Sequence, residues 1–168
     1  MVRSIILASF LVAFIFAGYA NAEETIAADF TLEDMNGDLF KLSDNLGSGP
    51  VLIDFWATWC KPCKEAMIHL QILHEKYSGQ GLKIVTVSTD SPKSQSKVKP
   101  FIKSHKYTFT VLLDPGQEVL KLFQGSNLPY QVLIDRDGKI VETHMGYSPG
   151  DEVILENKIL ELLSVSEE

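Results

Sequence analysis

The chain has 168 residues, 45% of them hydrophobic and 22% charged, with a formal net charge of −7. This length accommodates one well-buried domain rather than two. The acidic balance argues against nucleic acid or an anionic membrane surface as partner.

Taken in chain order, Arg3 precedes an apolar or small run from Ile5 to Gly18, then Ala20-Asn21-Ala22. This is the pattern of a signal peptide over residues 1–22, with the mature chain, 23–168, forming a single domain. The competing reading, a retained membrane anchor, meets a run too short to cross about 30 Å of hydrocarbon comfortably. Export to the periplasm or another extracytoplasmic compartment is therefore expected. Next, two alternating segments, Ala28 to Glu33 and Leu39 to Leu42, flank Asn36-Gly37 and predict a β-hairpin. Gly47 to Pro50 forms a loop, and Val51 to Ala57 is the continuous apolar run of a strand covered on both faces.

A helix with Pro62 in its first turn is predicted to end near Tyr77, before Ser78-Gly79-Gln80-Gly81. A strand over Leu82 to Thr89 follows. Val98, Phe101 and Ile102 then offer a helical face, with Pro100 as a restart or kink. A short strand at Val111 to Leu113 and a short helix at Gln117 to Gln124 come next. Strands at Tyr130 to Asp135 and Lys139 to Met145, joined at Arg136-Asp137-Gly138, precede a closing helix over Asp151 to Leu163. This order predicts an α/β fold whose central sheet is mixed and flanked by helices, with an added N-terminal hairpin. There is no internal repeat and no low-complexity tract.

The two cysteines, Cys60 and Cys63, fall where the first long strand turns into a helix. A bridge between them closes almost no loop, so it is a poor structural staple. The free N–H groups and positive end of the helix stabilise an anion there, which favours a reactive Cys60 thiolate. Cys60 is expected to attack a substrate disulfide and Cys63 to resolve the mixed disulfide. Zinc is the rival reading, with His69 and His74 nearby, but four ligands on one helix would not converge on one face. No metal and no cofactor are expected. His69, His74, His105 and His144 show no nucleophile or paired carboxylate around them, so surface or packing roles are their default. Lys93, Lys97, Lys99, Lys103 and Lys106 make one segment basic. A solvated helix face explains this, with steering of an acidic redox partner as the alternative.

Asp54-Phe55-Trp56-Ala57-Thr58-Trp59-Cys60-Lys61-Pro62-Cys63-Lys64 closely resembles the active-site strand and turn of the thioredoxin superfamily. The leader, the hairpin and the Phe30-Thr31-Leu32-Glu33-Asp34 run resemble its exported TlpA/ResA-like branch. The resemblance spans about Ile26 to Leu163. It implies a thioredoxin-like fold, thiol:disulfide oxidoreductase activity and a redox-active Cys60–Cys63 disulfide. It also implies that Asp54 is the buried acid that accepts the Cys63 proton, and that Pro129 is a cis-proline facing the disulfide. Trp59, Pro62, Leu128 and Pro129 form the substrate-binding face, with the Leu128 backbone offering an edge to an extended peptide.

Three positions depart from the family pattern: Ile68 stands where a helix-kinking proline is common, and Ala66 where exported relatives often carry glutamate. Thr86 stands where thioredoxins place a lysine beside the buried acid. The expected partners are disulfide-containing exported proteins, cytochrome c apoproteins among them, and a thiol-type membrane electron donor, the chain acting as a monomer. A reductase is favoured because Lys61-Pro62 places no histidine between the cysteines to stabilise the thiolate, although Lys61 adds modest positive charge. Oxidase or isomerase, thiol peroxidase, and redox-inert binding or chaperone module are the alternatives.

Overall fold

The computed structural model describes residues 25–164. The predicted leader, its cleavage site and the first mature residues lie outside that range. Seven strands and four α-helices follow one another: β1 (Thr31–Glu33), β2 (Leu39–Lys41), β3 (Val51–Trp56), α1 (Lys61–Tyr77), β4 (Lys83–Ser88), α2 (Val98–His105), β5 (Thr110–Leu113), α3 (Glu118–Leu122), β6 (Tyr130–Ile134), β7 (Ile140–Met145) and α4 (Asp151–Ser164). The main sheet has the order β5-β4-β3-β6-β7. β3 runs parallel to β4, and β4 to β5, whereas β6 is antiparallel to both β3 and β7.

β3 lies at the centre and all six of its residues are buried. This is why its sequence is almost continuously apolar rather than alternating. Its side chains divide between two cores. Leu52 and Trp56 join Met67, Leu70 and Leu73 of α1, Ile102 of α2, and Ile159 of α4. Val51, Ile53 and Phe55 face the other way, against Val119 and Leu120 of α3 and against Phe30 and Leu42 beside the hairpin. The sheet is thus covered on both faces, as the strand and helix order predicts.

β1 and β2 form a separate two-stranded sheet with Leu32 opposite Phe40. Its turn depends on Asp34 as much as on Asn36-Gly37. Asp34 Oδ1 accepts from the backbone N–H groups of Asn36 at 2.7 Å and Asp38 at 3.0 Å. Asp135 repeats the device at the β6–β7 turn, accepting from Asp137 N–H at 3.0 Å and Lys139 N–H at 2.9 Å. One cation of the basic segment serves the fold directly. Lys99 Nζ donates to Met35 O and Asn36 Oδ1, both at 3.1 Å, and ties α2 to the hairpin turn.

Pro100 sits at the third position of α2, inside the first turn, where its missing N–H removes no intrahelical bond. It marks the restart rather than a kink. α1 is one uninterrupted helix through Ile68. It closes into a 3₁₀ turn at Ser78–Gln80, and Gly81 beyond it adopts φ +105°, a conformation that glycine takes without strain.

Candidate active site at the start of helix α1

The cysteines occupy the passage from the carboxyl end of β3 into α1. Cys60 is the residue that caps the helix, and its Sγ accepts from the backbone N–H of Cys63 at 3.2 Å. That N–H is one of the donors a helix start leaves unpaired, so the sulfur sits at the positive end of the helix. Cys60 and Cys63 form a disulfide, their Cα atoms 5.3 Å apart, inside the range of ordinary bridges. Cys60 retains slight exposure at 5%, and Cys63 has none. An incoming sulfur therefore meets Cys60 first.

The loop that delivers Cys60 is pinned by a residue absent from the sequence expectations. Asp90, just past β4 and 1% exposed, accepts from Thr58 N–H and from the Thr58 hydroxyl, each at 2.7 Å. Ser88 Oγ donates to the same carboxylate at 3.1 Å. β3 and β4 are parallel neighbours with Trp56 opposite Ser88, so their carboxyl ends emerge side by side. An acidic residue directly after an apolar parallel strand is the signal that points to Asp90, since that end of such a sheet is where sites are built.

Around the disulfide, Trp59 is 67% exposed and stands out from the surface. A Trp used only for packing would be covered, so its position suits a docking face. Pro62 lies in the first turn of α1. The Leu128–Pro129 peptide bond is cis. Phe55 pairs with Tyr130, which sets Pro129 one residue beyond that pair, at the end of the sheet where Cys60 emerges. Leu128 packs against both cores, including the one that contains the cysteines. Sequence positions 59, 60, 62, 63, 128 and 129 are thus brought to one end of the sheet.

Asp54 is fully buried on the α1 face of β3, between Leu52 and Trp56 in the alternation. Burial pushes its carboxyl up to about 7, and a hydrogen bond from Gln131 pulls partly the other way. Gln131 Nε2 donates to Asp54 Oδ1 at 3.0 Å, whereas Oδ2 has no hydrogen-bond partner. Thr86 stands opposite Asp54 on β4, as the sequence suggests. Its hydroxyl donates to Thr110 O at 3.4 Å rather than to the carboxylate. Ala66 is buried, while the neighbouring Glu65 lies close enough to Tyr147 for its charge to raise the phenol.

The histidines divide. His69 stacks on Tyr147 with ring centroids 5.9 Å apart, His74 meets Phe109 edge-on, and His105 stacks on Tyr107. His144 departs from the expectation of no carboxylate partner: its Nε2 lies 3.1 Å from Asp151 Oδ2. Among the described residues no group of three or more His, Cys, Asp or Glu side chains is arranged to hold a metal ion.

A five-stranded mixed sheet with a Cys-x-x-Cys disulfide at the start of its first long helix defines a thioredoxin-like thiol:disulfide oxidoreductase. The chain belongs to the AhpC/TSA family, whose pattern matches residues 24–143. It is similar to the thiol-disulfide oxidoreductase ResA of Bacillus subtilis (strain 168), 38% identical over 133 residues, which cover 79% of this chain and 73% of that protein. The ResA of Bacillus cereus is 34% identical over 137 residues, with 79% and 78% covered. Among solved structures, a candidate thiol:disulfide interchange protein DsbE from Chlorobium tepidum superposes with a TM-score of 0.77. It is 34% identical and covers 83% of this chain and 96% of its own. A thiol:disulfide interchange protein from Bacteroides sp. gives a TM-score of 0.71 at 26% identity, with 86% and 92% covered.

Proposed function

We propose that the protein is an exported reductase of protein disulfides. In its reduced form the Cys60 thiolate attacks one sulfur of a substrate disulfide, forming a mixed disulfide and releasing the first substrate thiolate. Cys63 then gives its proton to Asp54 and its sulfur attacks Cys60 Sγ. The mixed disulfide breaks, the second substrate thiolate leaves, and the Cys60–Cys63 disulfide remains. Two electrons have passed from the dithiol to the substrate. Trp59, Pro62, Leu128 and Pro129 hold the substrate chain across this site, the Leu128 backbone pairing with an extended peptide.

The observation that carries the reading is the unequal placement of the two sulfurs: Cys60 caps α1 with its rim still open, and Cys63 is sealed behind it. The reducing direction rests on the Lys61-Pro62 pair, which supplies no imidazolium to the thiolate. Export rests on the apolar leader, and it brings a requirement: in an oxidising compartment a thiol-type membrane donor must return electrons to the pair. Exported disulfide proteins are the client class, with apoproteins of cytochrome c as one member. Among the described residues no helix is long and apolar enough to cross a membrane.

Trapping tests the reading. A Cys63→Ala variant expressed with its leader accumulates exported partners as mixed disulfides on Cys60. No adducts, under conditions where the wild type is active, would overturn it. Equilibration of the pair against glutathione tests direction separately. A midpoint near or above about −120 mV, the range of strong oxidants, contradicts a reductase.

A further inference from the structure

A row of polar side chains crosses the α1 face of the sheet, away from the cysteines. Register places Asp54 of β3 opposite Gln131 of β6, and Gln131 opposite His144 of β7. Directly paired residues on adjacent strands project to the same face, so the three side chains form one line from the centre of the sheet to its edge. Exposure rises along it, from Asp54 at 0% through Gln131 at 8% to a His144 side chain at 41%. His144 is in turn held by Asp151, whose Oδ2 also accepts from Ser148 N–H at 2.7 Å at the start of α4.

The outer two members of the line, Gln131 and His144, border a cleft of about 40 Å³ together with Leu133, Glu142, Asp151 and Leu155. A water needs roughly 10–15 Å³ on this measure and two to four polar partners, and this cleft supplies both. A second, smaller cleft meets the first at Gln131, Asp151 and Leu155, and is closed by His69, Tyr147 and Glu152. The titratable groups lining the two clefts are therefore Glu142 and His144 from β7, Asp151 and Glu152 from α4, His69 from α1, and Tyr147, on which the charge of Glu65 also acts. On the β4 side only the uncharged Thr86 stands opposite Asp54.

We propose that His144, beyond Gln131 in this row, is the group through which the buried carboxyl of Asp54 exchanges its proton with solvent. This rests on the reading that Asp54 takes the Cys63 proton. Gln131 is a positioning residue: by donating to Oδ1 it fixes the carboxylate and leaves Oδ2 to receive the proton. When Cys63 resolves the mixed disulfide, one proton moves from its sulfur to Asp54. Asp54 must be ionised to take it. The proton that the buried carboxyl already holds therefore leaves first, past Gln131 to water in the cleft, to the imidazole of His144 and from there to bulk water. Resolution waits on that departure. Imidazole is the side chain suited to this exchange near neutral pH, and Asp151 Oδ2 holds its Nε2 at 3.1 Å beside the cleft.

The test follows the resolving step alone. The reduced protein is loaded at Cys60 with thionitrobenzoate, and release of the dye by Cys63 is timed across pH in dilute, non-imidazole buffer. His144→Ala slows release at least about tenfold, and added imidazole restores the rate. Gln131→Met, close in size but unable to donate, moves the rising limb of the pH profile up by about one pH unit, because the charged form of Asp54 loses its donor. A His144→Ala rate equal to wild type, a loss that imidazole does not restore, or an unmoved limb in Gln131→Met overturns the route. Asp54→Asn separates this from the parent reading. If that variant keeps the limb, Asp54 is not the proton acceptor. If it loses the limb while His144→Ala behaves as wild type, only the route fails.

Discussion

Asp90 grips Thr58 by two hydrogen bonds of 2.7 Å, one to its backbone N–H and one to its hydroxyl, from the neighbouring parallel strand. Thr58 lies two residues before Cys60, so the grip sets the path by which β3 presents the helix cap and the disulfide. Charge-assisted hydrogen bonds at buried sites are among the stronger single contributors to a fold. Asp90→Ala is expected to lower unfolding stability by about 3 kcal/mol, read from urea titrations of the oxidised protein. It should also slow disulfide exchange, since the loop before Cys60 is released.

Asp54 links the site to stability through pH. Its carboxyl is raised from 3.8 to about 7 in the fold, so the folded chain holds a proton that the unfolded chain has lost between those values. Stability from this group is complete below about pH 4 and is lost as pH rises through 7, by at most about 4 kcal/mol. Asp54→Asn removes the dependence. The oxidised variant is therefore expected to match the wild type near pH 4 and to exceed it at pH 8, while turning over more slowly. Equal stability at pH 8 would show that the carboxyl is not held up by burial.

Asp114 works at the opposite face, where α3 begins. Its carboxylate accepts from the backbone N–H groups of Glu118 at 2.9 Å, Val119 at 3.0 Å and Leu120 at 3.1 Å. These are donors that a helix start leaves without partners. Asp114→Ala should cost about 1–2 kcal/mol, and Asp114→Asn, which keeps one acceptor, less. Hydrogen exchange at Val119 and Leu120 reports the loss directly, because those amides open first.

The contact between α1 and α4 is carried in part by Glu156, which accepts from the Tyr77 hydroxyl at 2.5 Å and from Lys76 Nζ at 2.7 Å. Hydrogen bonds from both partners hold its carboxyl below the ordinary value. The Tyr77 bond, with the hydroxyl on a buried ring, outweighs the exposed ion pair. Tyr77→Phe is therefore expected to destabilise by about 1 kcal/mol, and Lys76→Ala by less. A thermal-melt comparison with the two effects reversed contradicts this ranking.

How much of this is legible in the chain follows from distance along it. The β3 strand and the α1 helix show in consecutive residues, because full burial makes Val51 to Trp56 apolar almost throughout and Pro62 suits a first turn. Cys60 and Cys63 need only the three-residue spacing and that strand–helix junction. Asp54, Leu128 and Pro129 are placed by resemblance rather than by any local pattern. Asp90, Gln131 and His144 are not legible: each acts on a residue of another element, and only the strand register says which. Asp34 and Asp135 lie nearer to hand, since an Asp two residues before a turn amide is a local signal, though a weaker one than the glycine that follows.

The central claim is that the two cysteines are unequal, Cys60 the attacking sulfur and Cys63 the resolving one. Competitive alkylation of the reduced protein with iodoacetamide at pH 7, read by peptide mass spectrometry at early times, tests it most directly. Cys60 is expected to label at least about ten times faster, because it alone caps α1 and retains slight exposure while Cys63 has none. Equal labelling, or faster labelling of Cys63, contradicts the account.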